Sequence, residues 1–136
     1  MTPEHISLVQ SSFSAAAHRG TELVTNFYGR LFEDHPDLRN LFPHDMEDQE
    51  AKLLQTLSYA VNRLTHPQAL LPIVRELGKS HRGFRVEPEH YTYVAAALIG
   101  ALRETLAEEF THAVERAWVA CYVMIAQEME PQAMVA

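Results

Sequence analysis

Apolar residues recur at steps of three and four along almost the whole chain. Nowhere do they alternate with polar ones for long enough to form a half-buried strand. Ile6, Val9, Phe13 and Ala16 make the first such row, behind a Thr2-Pro3 pair that predicts an N-cap followed by proline in the first helical turn. Gly20 is expected to stop this helix. Leu23, Phe27, Leu31 and Phe32 mark a second helix, Pro36 opens a short helical turn, and Pro43 closes it before an acidic connector. Leu53, Leu57, Ala60, Val61 and Leu64 mark a long helix, and Thr65-His66-Pro67 breaks and restarts the chain. Leu70, Leu71, Val74 and Leu77 follow as a stripe that His81 extends, with Gly83 as the expected stop. Glu87-Pro88 is expected to start a further long helix with Val94, Leu98, Leu102 and Leu106. Thr111 is a candidate N-cap for the last, whose inner row is Val114, Ala117, Trp118, Cys121 and Ile125. Residues 131–136 are expected to fray.

Six long helices and one short one predict an all-α fold in a single domain over residues 1–136, either a layered helical sandwich or a bundle. A chain of 136 residues can bury roughly 70% of its unfolded surface, enough to enclose a cofactor. The formal net charge of −7 argues against nucleic acid or an anionic membrane as a partner, because phosphate binding needs a basic footprint. Cys121 is the one cysteine, so no internal disulfide and no Cys-x-x-Cys-His attachment of a haem can form. With no basic start followed by an apolar run, and no stretch near the ~20 apolar residues of a membrane span, a cytoplasmic protein is expected.

Of the eight histidines, most sit beside charges or at helix ends, where a solvated imidazole needs no special account. His81 differs in closing an apolar stripe, facing inward, just before Arg82-Gly83. An imidazole there is either a histidine favoured by the helix C-terminal dipole or a metal ligand projecting from an apolar wall. Gln49, Leu53, Leu57 and Ala60 share one face of the long middle helix, a single polar residue leading an apolar row. Tyr28 stands at the edge of a buried face beside Phe27 and Leu31. Glu87-x-x-His90 is one half of a diiron carboxylate signature, but that site needs a second Glu-x-x-His and two more glutamates.

Four segments in order carry a resemblance. They are Asn26-Phe27-Tyr28-Gly29-Arg30-Leu31-Phe32 with His35-Pro36-Asp37-Leu38-Arg39-Asn40-Leu41-Phe42, then Leu77-Gly78-Lys79-Ser80-His81, then His90-Tyr91, and Trp118 followed by Tyr122. Together they resemble bacterial single-domain haemoglobins and the globin domain of flavohaemoglobins, and the order of helix lengths matches the globin layout. The resemblance implies a globin fold around a b-type haem, with His81 as the iron ligand. It implies that Tyr28 and Gln49 are the distal donors and that Phe42 packs on the haem. It also implies that Leu53, Leu57, Leu77, Val86, Tyr91 and Val94 line the pocket, with Lys52 placed to meet a propionate. A register one turn on would bring Lys52 or Leu53 to the distal place instead of Gln49. His44, on the connector, is a further candidate for reaching the iron. The glutamate that partners the proximal histidine in flavohaemoglobins falls on Ala133, so the partner of His81 is expected to be a backbone carbonyl such as that of Leu77.

The resemblance implies binding of O2, NO and CO. Two donors in a dry pocket, each worth about 1.5–3 kcal/mol to a charged acceptor, imply firm O2 binding and slow release. That suits scavenging, or nitric oxide dioxygenation to nitrate, better than bulk oxygen transport. With no Gly-x-Gly-x-x-Gly following a strand, an external reductase is expected. A haem-based gas sensor or interaction module without catalysis is the alternative, and either a monomer or a homodimer is compatible with the sequence.

Overall fold

The Thr2 side chain accepts the backbone N–H of His5, and the His5 ring accepts that of Thr2, so a reciprocal capping box starts the first helix as the sequence predicts. The structure, a computed structural model, describes residues 1–134. The helices are α1 (Pro3–Ala17), α2 (Gly20–Asp34), α3 (Glu47–Asn62), α4 (Pro67–Gly83), α5 (His90–Leu106) and α6 (His112–Met129). Short 3-10 segments, Pro36–Leu41 and Ala107–Glu109, follow α2 and α5. No strand occurs among the described residues, and no helix is long and apolar enough to cross a membrane.

α1 packs on α6, α2 on α5, α4 on α6, and α3 on α2. Val9, Leu23, Leu31, Leu70, Val74 and Leu102 are the largest side chains fully withdrawn from solvent, each from a row visible in the sequence. Burying such a side chain contributes about 1.5–3 kcal/mol. Ser12 is a polar side chain buried beside this core. The Ser12 hydroxyl donates to the carbonyl of Leu8 (2.7 Å) and accepts the Trp118 indole N–H (2.8 Å), which ties α1 to α6 beside the Phe13–Trp118 ring contact.

Three local expectations are corrected, and the stop expected at Gly83 is found. α1 ends at Ala17, and Gly20 does not stop it but begins α2; a Cβ at Gly20 would stand 2.7 Å from Leu54, so the glycine serves the approach of α3. α4 ends at Gly83 as expected, and two residues on Arg85 takes the left-handed conformation, at φ 65°. Its position lets the Val86 N–H reach back to the carbonyl of His81 (3.0 Å). Glu87–Glu89 forms a turn before α5, which starts at His90. The expected fraying from Pro131 is not found through Met134, since Ala133 is fully buried and its N–H bonds the carbonyl of Glu130 (2.8 Å). The rest of that segment lies outside the described residues.

Candidate functional site

Helices α2 to α6 enclose a cavity of about 390 Å³, within the range of small-molecule and cofactor sites. Every candidate residue from the sequence except His44 lines it. His81 and Leu77 come from α4, Tyr28 from α2, and Gln49, Lys52, Leu53 and Leu57 from α3. Phe42 and Val86 come from the connectors, and Tyr91 and Val94 from α5.

His81 is partly buried at the end of α4, and its Nδ1 lies 2.7 Å from the carbonyl of Leu77 one turn back. A carbonyl only accepts, so Nδ1 carries the proton and Nε2 keeps its lone pair. The carbonyl partner expected from the sequence is therefore present.

Tyr28 is buried among Phe27, Phe32 and Phe42, edge-on to Phe27 and Phe42 and stacked on Phe32. Its hydroxyl accepts the side-chain N–H of Gln49 at 3.2 Å. Burial pushes the Tyr28 pKa up, against the lowering by the Gln49 hydrogen bond, so the hydroxyl keeps its proton at neutral pH. Gln49 is the donor in that bond, which leaves the tyrosine proton free to point into the cavity. Tyr91 is also buried and lines the cavity, and its hydroxyl has no hydrogen-bond partner among the described residues. Tyr122 uses its own hydroxyl on the backbone carbonyl of Tyr91 (2.5 Å).

The connector after Phe42 is clamped rather than loose. Arg39 donates to the carbonyls of Pro43 and His44, both at 2.7 Å. The exposed His44 does not line the cavity, whereas Gln49, Lys52 and Leu53 all do, and of these three Gln49 bonds Tyr28.

Sequence reasoning passed over His90, Trp118, Cys121 and Met129 as site residues, although all four line the cavity. His90 was set aside with the solvated histidines. Its Nδ1 accepts the backbone N–H of Glu87 (3.0 Å), a turn that no periodicity reveals. Trp118 and Cys121 sit in the inner row of α6, where a core position and a cavity wall have the same signal. Burial pushes the Cys121 thiol up to about 12, so it stays a neutral wall group.

The donor set fits the haem that the resemblance implies. His81 lines a largely apolar cavity with Nε2 uncommitted, the hydrogen-bonded Tyr28–Gln49 pair shares that cavity with it, and Lys52 lies along its lining with no ion-pair partner among the described residues.

Comparison with known proteins agrees with this architecture. A flavohemoprotein of Vibrio cholerae is 31% identical over 130 residues, covering 93% of this chain and 33% of its own length. A flavohemoprotein of Xylella fastidiosa is 33% identical over 129 residues, with 92% and 32% covered. The chain thus spans about a third of the length of these relatives. The engineered carbene transferase RmaNOD from Rhodothermus marinus superposes with a TM-score of 0.86 at 27% identity, covering 96% of this chain and 92% of that one. A bacterial globin from Campylobacter jejuni superposes at 0.83 with 22% identity, covering 96% and 95%, which supports the fold alone. The profile of the globin family matches residues 25–129, and the chain belongs to that family.

Proposed function

We propose that this chain binds haem b, which Nε2 of His81 would hold through its iron, and that Tyr28 and Gln49 hold a diatomic gas, O2 above all, firmly and release it slowly. Haem, when bound, would supply an iron that coordinates the gas and exchanges electrons. The pocket's own residues do the rest. Leu77 fixes the tautomer and ring orientation of His81. Gln49 fixes the hydroxyl oxygen of Tyr28 and leaves its proton as the donor. Phe42, Leu53, Leu57, Val86 and Val94 keep water away, so each donated hydrogen bond counts for more than in solvent. The observation that carries the reading is the Gln49–Tyr28 pair lining the same cavity as an imidazole whose other nitrogen is already committed.

Within this reading the reaction is nitric oxide dioxygenation, in which NO, O2 and one electron give nitrate. The flavohemoprotein relatives and the description of the Rhodothermus marinus protein, which names nitric oxide dioxygenase, support it. The electron would come from an external reductase in the cytoplasm, where NADH is available. The purified protein, reconstituted with haemin, should give a Soret band that shifts with CO and with O2. NO consumption with a generic reductase and NADH should exceed that of free haemin. A protein without a Soret band removes the haem reading. NO turnover no faster than free haemin removes the dioxygenase step.

A further inference from the structure

Gly78 and Arg82 lie one helical turn apart on α4, on either side of His81 in sequence, and both meet the same backbone group, the last residue of α6. A Cβ at Gly78 would stand 2.1 Å from the carbonyl oxygen of Met129 and 2.7 Å from its Cα and carbonyl carbon. The neighbour is main chain, not a side chain that could swing aside. From Arg82, Nη1 donates to that same carbonyl at 2.7 Å, and Glu130 Oε2 lies 3.5 Å from the same nitrogen. The last carbonyls of a helix have no partner within it, so a guanidinium is a strong donor for this one and also favours the negative end of the helix dipole.

We infer that the end of α6 is a backbone peg, seated at Gly78 and held by Arg82, that sets where on the cavity wall the imidazole of His81 stands. Gly78 and Arg82 are then positioning residues for the axial nitrogen. The inference rests on the haem reading above. Three further observations support it. The Leu77 carbonyl that holds Nδ1 of His81 belongs to the residue next to Gly78, so a shift of α4 at the peg carries the imidazole and its partner together. Met129 itself lines the cavity, so the peg forms part of the same wall. Beyond the peg, Pro131–Met134 forms a turn with Ala133 fully buried, so the end of α6 is backed by packed chain.

A side chain at position 78 needs α4 and α6 to separate by more than an ångström to reach ordinary contact, and His81 moves with α4. Loss of the Arg82 hydrogen bond removes the hold without adding bulk. The test compares haem-loaded parent protein with Gly78→Ala, Arg82→Gln, Arg82→Lys and the remote core variant Ser12→Ala. Resonance Raman of the unliganded ferrous protein reads the iron–histidine stretch. Electron paramagnetic resonance of the ferrous nitric oxide adduct reads the fraction that has lost the histidine bond. Thermal unfolding reads global stability.

Gly78→Ala and Arg82→Gln should shift or broaden the iron–histidine band and raise the five-coordinate fraction of the adduct. They should also release haem about tenfold faster, the low end for a group that orients a metal ligand. Arg82→Lys should restore most of the parental band. Ser12→Ala should lower stability and leave the band in place. Bands for Gly78→Ala and Arg82→Gln that coincide with the parent overturn the inference, as does a shift in Ser12→Ala of the same size. If Gly78→Ala does not fold, the Arg82 pair decides. A parent protein without a Soret band removes the haem reading itself, whereas a normal parent with unmoved variants overturns only the positioning role.

Discussion

The side-chain amide of Gln49 donates to the hydroxyl of Tyr28 over 3.2 Å, which joins the start of α3 to the middle of α2 on the wall of one cavity. The bond orders two groups at once. It spends a lone pair of the tyrosine oxygen on the glutamine and leaves the phenolic proton for a guest. Because burial keeps that proton in place, the pair is a donor at any pH the cell reaches.

Tyr28→Phe removes this donor while keeping the ring against Phe27, Phe32 and Phe42. One hydrogen bond to a charged acceptor is worth about 1.5–3 kcal/mol, so release of O2 should be roughly ten- to hundredfold faster. Stopped-flow displacement of O2 by CO measures it. An unchanged rate would take Tyr28 out of the site.

Gln49→Leu should speed release by less, because the tyrosine donor remains but loses its anchor. The double variant Tyr28→Phe with Gln49→Leu should fall short of the summed single effects by about 0.5–3 kcal/mol, the usual coupling between touching groups. Strict additivity of the logarithms of the three rates would mean that the two side chains act independently.

The site was legible wherever helical periodicity alone decides the wall. Leu53, Leu57, Leu77 and His81 follow from rows at steps of three and four, Tyr28 stands at the edge of such a row and is marked by the resemblance, and all line the cavity. What escaped depends on distant backbone. Gly20 reads as a helix stop in sequence, yet it faces Leu54 from another helix. The left-handed residue Arg85 carries no signal in sequence, because its conformation follows from the bond of Val86 to His81 that fixes the exit of the chain. His90 lines the cavity with its ring held by the backbone N–H of Glu87, a contact that periodicity does not reveal. Gly78 carries no local signal at all, since its reason is the end of α6 more than forty residues away.

Ser12→Ala should cost about 1–3 kcal/mol by leaving the buried indole N–H of Trp118 without an acceptor. The measurement is urea unfolding of parent and variant, compared at equal slope. Unchanged stability would show that Trp118 finds another acceptor or water.

Alkali should unfold this protein through groups whose pKa is raised on folding. Burial raises Tyr28, Tyr91 and Tyr122 above 10.0, and takes Cys121 from 9.0 to about 12. A group with a raised folded pKa contributes stability that is complete below its unfolded value and is lost as the pH rises towards the folded one. The decline should therefore begin near pH 9, where the unfolded cysteine starts to ionise, and steepen above pH 10 as the tyrosines follow. Thermal unfolding midpoints between pH 7 and 12 test this, with tyrosinate absorbance recorded alongside. Tyrosinate signal from all five tyrosines before any loss of structure would contradict the burial of Tyr28, Tyr91 and Tyr122.

Arg85→Gly tests the cap behind the axial histidine. A non-glycine residue in the left-handed region costs roughly 1–2 kcal/mol, and Arg85 holds φ 65° so that the N–H of Val86 can reach the carbonyl of His81. Glycine adopts that φ freely but gains entropy in the unfolded chain, so the net stabilisation should be about 0.5–1 kcal/mol. Arg85→Val, with a branched Cβ in the same conformation, should destabilise instead. Val86 lines the cavity on one side of this bond and His81 on the other. A cap strained open by valine should therefore also loosen the hold on haem, seen as faster transfer of haem to an apomyoglobin acceptor. Equal stabilities for Arg, Gly and Val at position 85 would mean that the chain leaves α4 by a different path.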